Sequence, residues 1–258
     1  IIVADTVGQA VMFLGQIKNI LYDSQQIRNL FGLASDEKGV IFEKDTEDDI
    51  IVKFADGQRF RIMAKGAEQK LRGLQWDGGR PDLIVIDDLL NEELVANKDR
   101  RDKLRKWVFG SLVPCLSQYG QIRWVGTVMN LDDPLMSLMP PPNSKDSVVE
   151  DLKTWSKRKK GAWKTVLYRA HNSDMTKLLW PERKTAEEFK ELREDFIEQG
   201  MPEVYACEYL NNPVDDSIRY FRKNDFLPMT EEDRKKDLTY YITADLAISL
   251  KERADYTA

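Results

Sequence analysis

The sequence predicts an α/β fold built on a mainly parallel sheet, on three observations. Apolar strand-like runs alternate with segments of helical periodicity. The run Leu83-Ile84-Val85-Ile86 ends in adjacent carboxylates, Asp87-Asp88, and a later run, Tyr240-Tyr241-Ile242-Thr243-Ala244, ends in Asp245. Alternating strands and helices indicate parallel strands with helices packed on the sheet. In such sheets ligands bind beyond the strand C-termini, so strand-end carboxylates are candidate site residues.

The first strand, Ile1-Ile2-Val3-Ala4, runs into Asp5-Thr6. Thr6 and Gln9 have capping-box spacing, and Ala10, Phe13, Leu14, Ile17 and Leu21 follow at helical intervals. A second helix is expected from Ser24 to Leu33. Ile50 to Phe54 and Arg59 to Met63 flank Ala55-Asp56-Gly57-Gln58, a hairpin signal. The strand at 82–87 follows, then a charged helix over about 93–109 with Leu94, Leu104, Trp107 and Val108 as its apolar members. Gln121 to Val125 reads as a strand ending at Gly126-Thr127, so Asp87, Asp88, Thr127 and Asn130 fall on one sheet edge. Pro140-Pro141-Pro142-Asn143 interrupts the pattern. Thr165 to Tyr168 is a strand, Thr185 and Glu188 form a second capping box before a helix lined by Phe189, Leu192 and Phe196, and a short helix covers Pro202 to Leu210. The polar segment 213–237 reads as a linker between a domain at 1–212 and a second one opening at 238–258.

Composition excludes several classes. The 258 residues are 42% apolar, enough for a core, and no apolar run approaches the roughly 18 residues of a membrane span. There is no signal-peptide pattern. Two cysteines without metal-ligand spacing, Cys115 and Cys207, and one histidine, His171, argue against zinc and for a reducing, cytosolic setting. A net charge of −5 is not that of a polycation, although Lys153, Lys157, Arg158, Lys159, Lys160 and Lys164 alternate with Trp155 and Trp163. Such a stretch can grip phosphates or simply be a solvated loop. The chain opens within a strand and closes on Tyr256-Thr257-Ala258, as an internal fragment of a longer protein would.

A buried strand delivering two carboxylates to its end is the Walker B arrangement of a P-loop ATPase: Asp87 can hold the Mg²⁺ of Mg-ATP, and Asp88 sits where the attacking water is oriented. The competing reading is a strand followed by a polar turn. With Asp245 on a separate strand and Asp255 ten residues on, the acids suggest two catalytic centres in series.

These residues resemble, in order and across nearly the whole chain, the large subunit of tailed-phage terminases, the DNA-packaging motors. Asp5-Thr6 with Gln9-Ala10 is similar to the segment after the Walker A helix. Leu71-Arg72-Gly73, then Arg80-Pro81-Asp82 and the strand to Asp88, resemble the arginine-glycine element leading into Walker B. Gly126-Thr127 resembles the coupling motif. Trp180-Pro181-Glu182 and Glu208-Tyr209-Leu210-Asn211-Asn212-Pro213 resemble the stretch between ATPase and nuclease, and Thr243-Ala244-Asp245 with Ala254-Asp255-Tyr256-Thr257 resemble the first acidic motif of the nuclease.

The resemblance implies an ASCE-type P-loop ATPase followed by the first strand of a ribonuclease H-like nuclease. It implies ATP and Mg²⁺ as cofactors, with Mn²⁺ possible at the nuclease. Implied partners are double-stranded DNA, the portal protein of the procapsid, the small terminase subunit and further copies in a ring, with no membrane. The implied location is the host cytoplasm, transiently on the procapsid, and not the mature virion. Asp87 is then the Mg²⁺ ligand and Asp88 the water-orienting carboxylate. Arg72 is an arginine finger, with Arg80 next in line. Gly126, Thr127 and Asn130 sense the γ-phosphate, and Asp245 with Asp255 holds nuclease metal. The sequence departs from the family in lacking the Walker A loop Gly-x-x-x-x-Gly-Lys-Ser/Thr and the later nuclease acids, and in carrying Asp88 where Glu is usual. The fragment alone is therefore expected to be inactive. Rival readings are a helicase-type translocase without a nuclease and a non-catalytic procapsid assembly protein.

Overall fold

A computed structural model describes residues 1–71, 73–91, 94–95, 97–141, 144–157, 163–213, 230 and 232–237. The chain divides into two compact units, Ile1–Asp215 and Asp216–Ala258. Within the second, the described residues include one 3₁₀ turn, Asp233–Lys235. Asp245 and Asp255 lie outside the described residues, as does Arg72.

The first unit is α/β with a mixed sheet. Strand β1 (Ile2–Ala4) passes through Asp5-Thr6 into α1 (Val7–Asp23), where Thr6 Oγ1 accepts the Gln9 N–H at 3.2 Å. That is one arm of the expected capping box; the Gln9 side chain lines a cavity beside Asp5. Ser24 ends α1 and caps α2 (Gln25–Phe31), which closes at Gly32 in the left-handed region. Two short strands, β2 (Ser35–Asp36) and β3 (Gly39–Val40), pair as a hairpin. They precede the antiparallel strands β4 (Phe42–Asp45), β5 (Asp49–Lys53) and β6 (Arg59–Gly66). The Asp56-Gly57 turn joins β5 to β6 as the sequence predicts, with Gly57 at φ 88° and Asp56 accepting the Gln58 N–H.

Strand β7 (Leu83–Asp87) is followed by α3 (Lys98–Trp107). This helix begins later than the predicted 93, because Asn97 sits in extended backbone and accepts the Arg100 N–H, a strong N-cap. It continues through a π-helical turn, Val108–Leu112, and a 3₁₀ turn at Val113–Cys115 before β8 (Gln121–Val125). Further on lie α4 (Pro134–Leu138), the antiparallel strands β9 (Ser147–Val149), β10 (Lys153–Ser156) and β11 (Val166–Tyr168), and helices α5 (Ala186–Glu198) and α6 (Pro202–Leu210). The capping box at Thr185 and Glu188 is complete. The start of the basic stretch is strand rather than solvated loop: Lys153 stands on β10 with its ammonium 4.7 Å from the Trp155 ring centroid.

Among the described residues the main sheet has the order β4-β5-β6-β1-β7-β8, with β6, β1, β7 and β8 mutually parallel. Each face carries its own core. Ala10 and Leu14 of α1 pack with Ile2, Ala4, Ile50, Val52 and Ala64. On the other face Leu104, Val108 and Leu112 pack with Val3, Ile84 and Ile86. A third cluster joins Phe189 of α5 to Tyr205 of α6. There His171 donates from Nδ1 to the Asn172 carbonyl at 2.7 Å, and its Nε2 pairs with the Tyr205 hydroxyl at 2.7 Å.

Candidate functional site

Strand topology alone marks one place on this sheet. The chain leaves β1 by α1, on one face, toward β6; it leaves β7 by α3, on the other face, toward β8. The C-terminal ends of β1 and β7 therefore flank a switch point, where departing connections open a crevice. Gly66, at the end of β6, closes one side: a Cβ there would lie 2.7 Å from the Val7 nitrogen, so only glycine lets β6 and the β1–α1 turn approach this closely.

A cavity of about 260 Å³ occupies the crevice. Asp5 from β1, Asp88 and Asn91 from the segment after β7, Gly126 and Thr127 after β8, and Glu208 from α6 line it. Asn91 fixes the floor, donating from Nδ2 to Asp5 Oδ2 at 2.7 Å while its Oδ1 accepts the Leu94 N–H at 2.8 Å. Asp88 has left-handed backbone, φ 40°, and its N–H donates to the Val125 carbonyl at 3.3 Å. Burial first, and the neighbouring Asp87 charge second, push its pKa above the ordinary carboxylate value. Gly126 abuts this carboxylate: a Cβ on it would lie 3.2 Å from Leu135 Cδ1 and 3.8 Å from Asp88 Oδ1.

Of the residues singled out from sequence, Asp88, Gly126 and Thr127 meet in this cavity. Asp87 ends β7 and, by strand alternation, shares the face of Leu83 and Val85 rather than that of buried Ile84 and Ile86. Asn130 is not in the lining; its Oδ1 accepts the Asp132 N–H at 2.9 Å, an Asx turn in the loop beyond Thr127. Arg80 is engaged within the chain, donating from Nη1 to the Pro114 carbonyl at 2.7 Å. Asp5, Asn91 and Glu208 were not foreseen. Asp5 and Glu208 each lie in a motif that carries the resemblance, but neither motif points to this cavity, because α6 and β1 are distant in sequence. A larger cleft of about 750 Å³ lies at the other strand ends, by Ile1, Leu83 and Trp76. Its arginines are engaged, Arg59 with Glu43 and Asp77, Arg61 with Asp49 and Arg80 with the Pro114 carbonyl, and its carboxylates are Asp77 and Asp82, the latter just before the N-terminal end of β7.

The loop after β8 is held from below by Asp133, a fully buried carboxylate that accepts the Leu135 N–H at 2.7 Å and the Met129 N–H at 3.2 Å. Burial pushes its pKa up to about 6, against the lowering from those two amides and from Arg105 and Arg101. A folded-state pKa above the ordinary 3.8 means that the folded chain holds the proton more tightly. The stability this group contributes is present below about pH 4 and lost as pH rises through about 6. Asp133→Asn removes the ionisation and retains one amide acceptor. Denaturant unfolding across pH should therefore show the wild type losing on the order of 3 kcal/mol relative to Asp133→Asn between about pH 4 and 7. Parallel pH curves for the two proteins would remove Asp133 as the titrating group.

Among the described residues no basic side chain lines this cavity and three acids do, while a second cavity of about 320 Å³ that shares Asp5 and Asn91 with it is lined by Arg100 and Lys103. Among the described residues no three His, Cys, Asp or Glu converge as a metal site, and no helix is long and apolar enough to cross a membrane. The chain matches no protein-family model, no curated protein and no solved structure.

Proposed function

We propose that this chain is the ATPase core, with the opening of the nuclease, of a DNA-packaging motor of the tailed-phage terminase large-subunit kind. The observation that carries the reading is the cavity at the switch point where Asp88, just after the Walker B-like strand, meets Gly126 and Thr127, just after the neighbouring parallel strand. In it Asp88 would orient the attacking water while Gly126 and Thr127 meet the γ-phosphate; Asp87, which ends β7 next to Asp88 but is not among the cavity's lining residues, would hold Mg²⁺ from the cavity's edge. Asn130 acts through the loop it braces.

The residues fit Mg²⁺ in the manner usual for nucleotide sites. Mg²⁺ keeps several waters and takes one or two carboxylates plus substrate phosphates rather than an all-protein cage. When bound, it neutralises charge on the phosphates. An acidic cavity needs that neutralisation, and it also needs the lysine of a Gly-x-x-x-x-Gly-Lys-Ser/Thr loop, which the 258 residues do not contain. Room for such an element exists beside β8. This strand is an outer one of its sheet among the described residues, and Val125 is 63% exposed on it.

Arg72 as a finger in a neighbouring subunit's site, and Asp245 with Asp255 as nuclease ligands, complete the proposal from sequence. Double-stranded DNA, a procapsid portal, a small subunit and a ring of copies are the partners that follow, in the host cytoplasm.

The test compares two proteins. Residues 1–258 alone should bind no Mg-ATP, whereas the full-length gene product should bind it and release phosphate, faster with DNA present. Full-length protein that neither binds nor hydrolyses ATP would overturn the ATPase. Hydrolysis without metal-dependent plasmid cleavage would favour the helicase-type translocase.

A further inference from the structure

In the segment Gly126–Asn130, which leaves the sheet after β8, Asp133 accepts the Met129 N–H, and a side chain from far along the sequence, Asn211, accepts the Val128 N–H. Val128 is 5% exposed and lies beyond the last pairing of β8. Its N–H donates to Asn211 Oδ1 at 2.9 Å. The other end of the same amide, Nδ2, donates to the Tyr168 carbonyl at the end of β11, at 3.0 Å. Asn211 is also the residue that ends α6, with left-handed backbone at φ 49° and its N–H on the Cys207 carbonyl. One turn earlier α6 brings Glu208 to the wall of the cavity that Asp88 also lines, and the Ala170 N–H ties the chain after β11 to α6 at the Tyr209 carbonyl, 2.7 Å away. A single amide therefore bridges the cavity loop, the end of β11 and the end of α6.

On the reading of that cavity as the nucleotide site, we infer that Asn211 is a positioning residue: it holds Gly126-Thr127 against Glu208 and Asp88 and couples the loop to the β11–α6 layer. Only an amide serves both bonds, since one carbonyl oxygen accepts from Val128 while one NH₂ donates to Tyr168. Leaving the buried Val128 N–H without an acceptor is costly, so the loop follows α6 when that helix shifts.

A competing role is plain helix termination. A residue in left-handed backbone after a helix is most often glycine, which adopts that conformation without strain. The two roles predict opposite outcomes for Asn211→Gly. A terminating role leaves the loop as it was or slightly firmer. A positioning role releases it.

Residue-resolved amide exchange on the full-length protein, without nucleotide, separates them. Asn211→Gly should speed exchange at Val128 by roughly tenfold. Asn211→Asp keeps an acceptor for Val128 and tolerates the backbone but loses the donor to Tyr168, so exchange at Val128 should fall between wild type and Asn211→Gly. Exchange at Val128 within about twofold of wild type in Asn211→Gly would overturn the assignment. Repeating the measurement with Mg-ATP addresses the site itself. Wild-type amides at 126–129 should slow, and Asn211→Gly should need several-fold more ATP for the same slowing. No effect of ATP on the wild type, with Val128 still released in Asn211→Gly, would count against the nucleotide site and leave the coupling standing.

Discussion

Asp88→Asn in the full-length protein is expected to cut ATP turnover by at least about 100-fold while nucleotide binding stays nearly unchanged. Binding relies on phosphate and base contacts present in the ground state. On the proposed assignment the carboxylate acts on the attacking water, so its loss falls on the transition state. The substitution is unusually clean here. Asp88 sits at φ 40°, and among residues with a Cβ asparagine tolerates that region best. The same geometry suits aspartate better than the glutamate that the resemblance leads one to expect, because the shorter side chain fits left-handed backbone more easily. Asp88→Glu should therefore fold less stably and does not simply restore the family residue. If Asp87 holds Mg²⁺ as proposed, Asp87→Ala should abolish hydrolysis, with Mg²⁺-dependent binding weakened too. Asp245→Ala should do the reverse, losing plasmid cleavage with phosphate release intact. Phosphate release, fluorescent-nucleotide binding and plasmid digestion on the same preparations check all of these. Near-normal turnover in Asp88→Asn would sink its role, and joint loss of both activities in Asp245→Ala would signal misfolding.

The second large effect is on stability. Gly66→Ala should cost about 3 kcal/mol and lower the melting temperature by roughly 6–12 °C. The added Cβ meets backbone: the Val7 nitrogen at 2.7 Å, the Thr6 carbonyl carbon at 3.2 Å and the Val7 Cα at 3.3 Å. No rotamer change relieves that, so β6 and the β1–α1 turn must part. Both are anchored, since Ala4 pairs with Gly66 and the Ala67 N–H donates to the Asp5 carbonyl. The strain thus reaches Asp5 in the cavity. Gly15→Ala is the matched control: it lies within α1 with nothing inside 4 Å of a new Cβ, and should stabilise by up to about 1 kcal/mol through helix propensity. Equal melting temperatures for Gly66→Ala and wild type would show that the β6–β1 approach is softer than its geometry implies.

Much of the architecture was legible in the residues. Apolar periodicity and capping residues predicted α1, α5 and α6, the Asp56-Gly57 hairpin, and β7 and β8, because a helix or hairpin is decided by neighbours a few positions apart. Asp88, Gly126 and Thr127 were found for the same reason: each directly follows an apolar run. The short strands β2, β3, β9 and β10 were not, since two to four residues carry too little periodicity and owe their conformation to partners across the sheet.

By itself the sequence determined that strands alternate with helices, that two carboxylates close one strand, and that no phosphate-binding lysine loop lies within these residues. Only the tertiary structure decided that β1 lies between β6 and β7, so that Asp5, Asp88, Thr127 and Glu208 face one cavity. It also decided that Asp88 takes left-handed backbone and that Asn211 holds the Val128 amide. These depend on pairings between segments up to two hundred residues apart. Burial over the whole sheet selects such pairings, and no local pattern of side chains records which strand becomes whose neighbour.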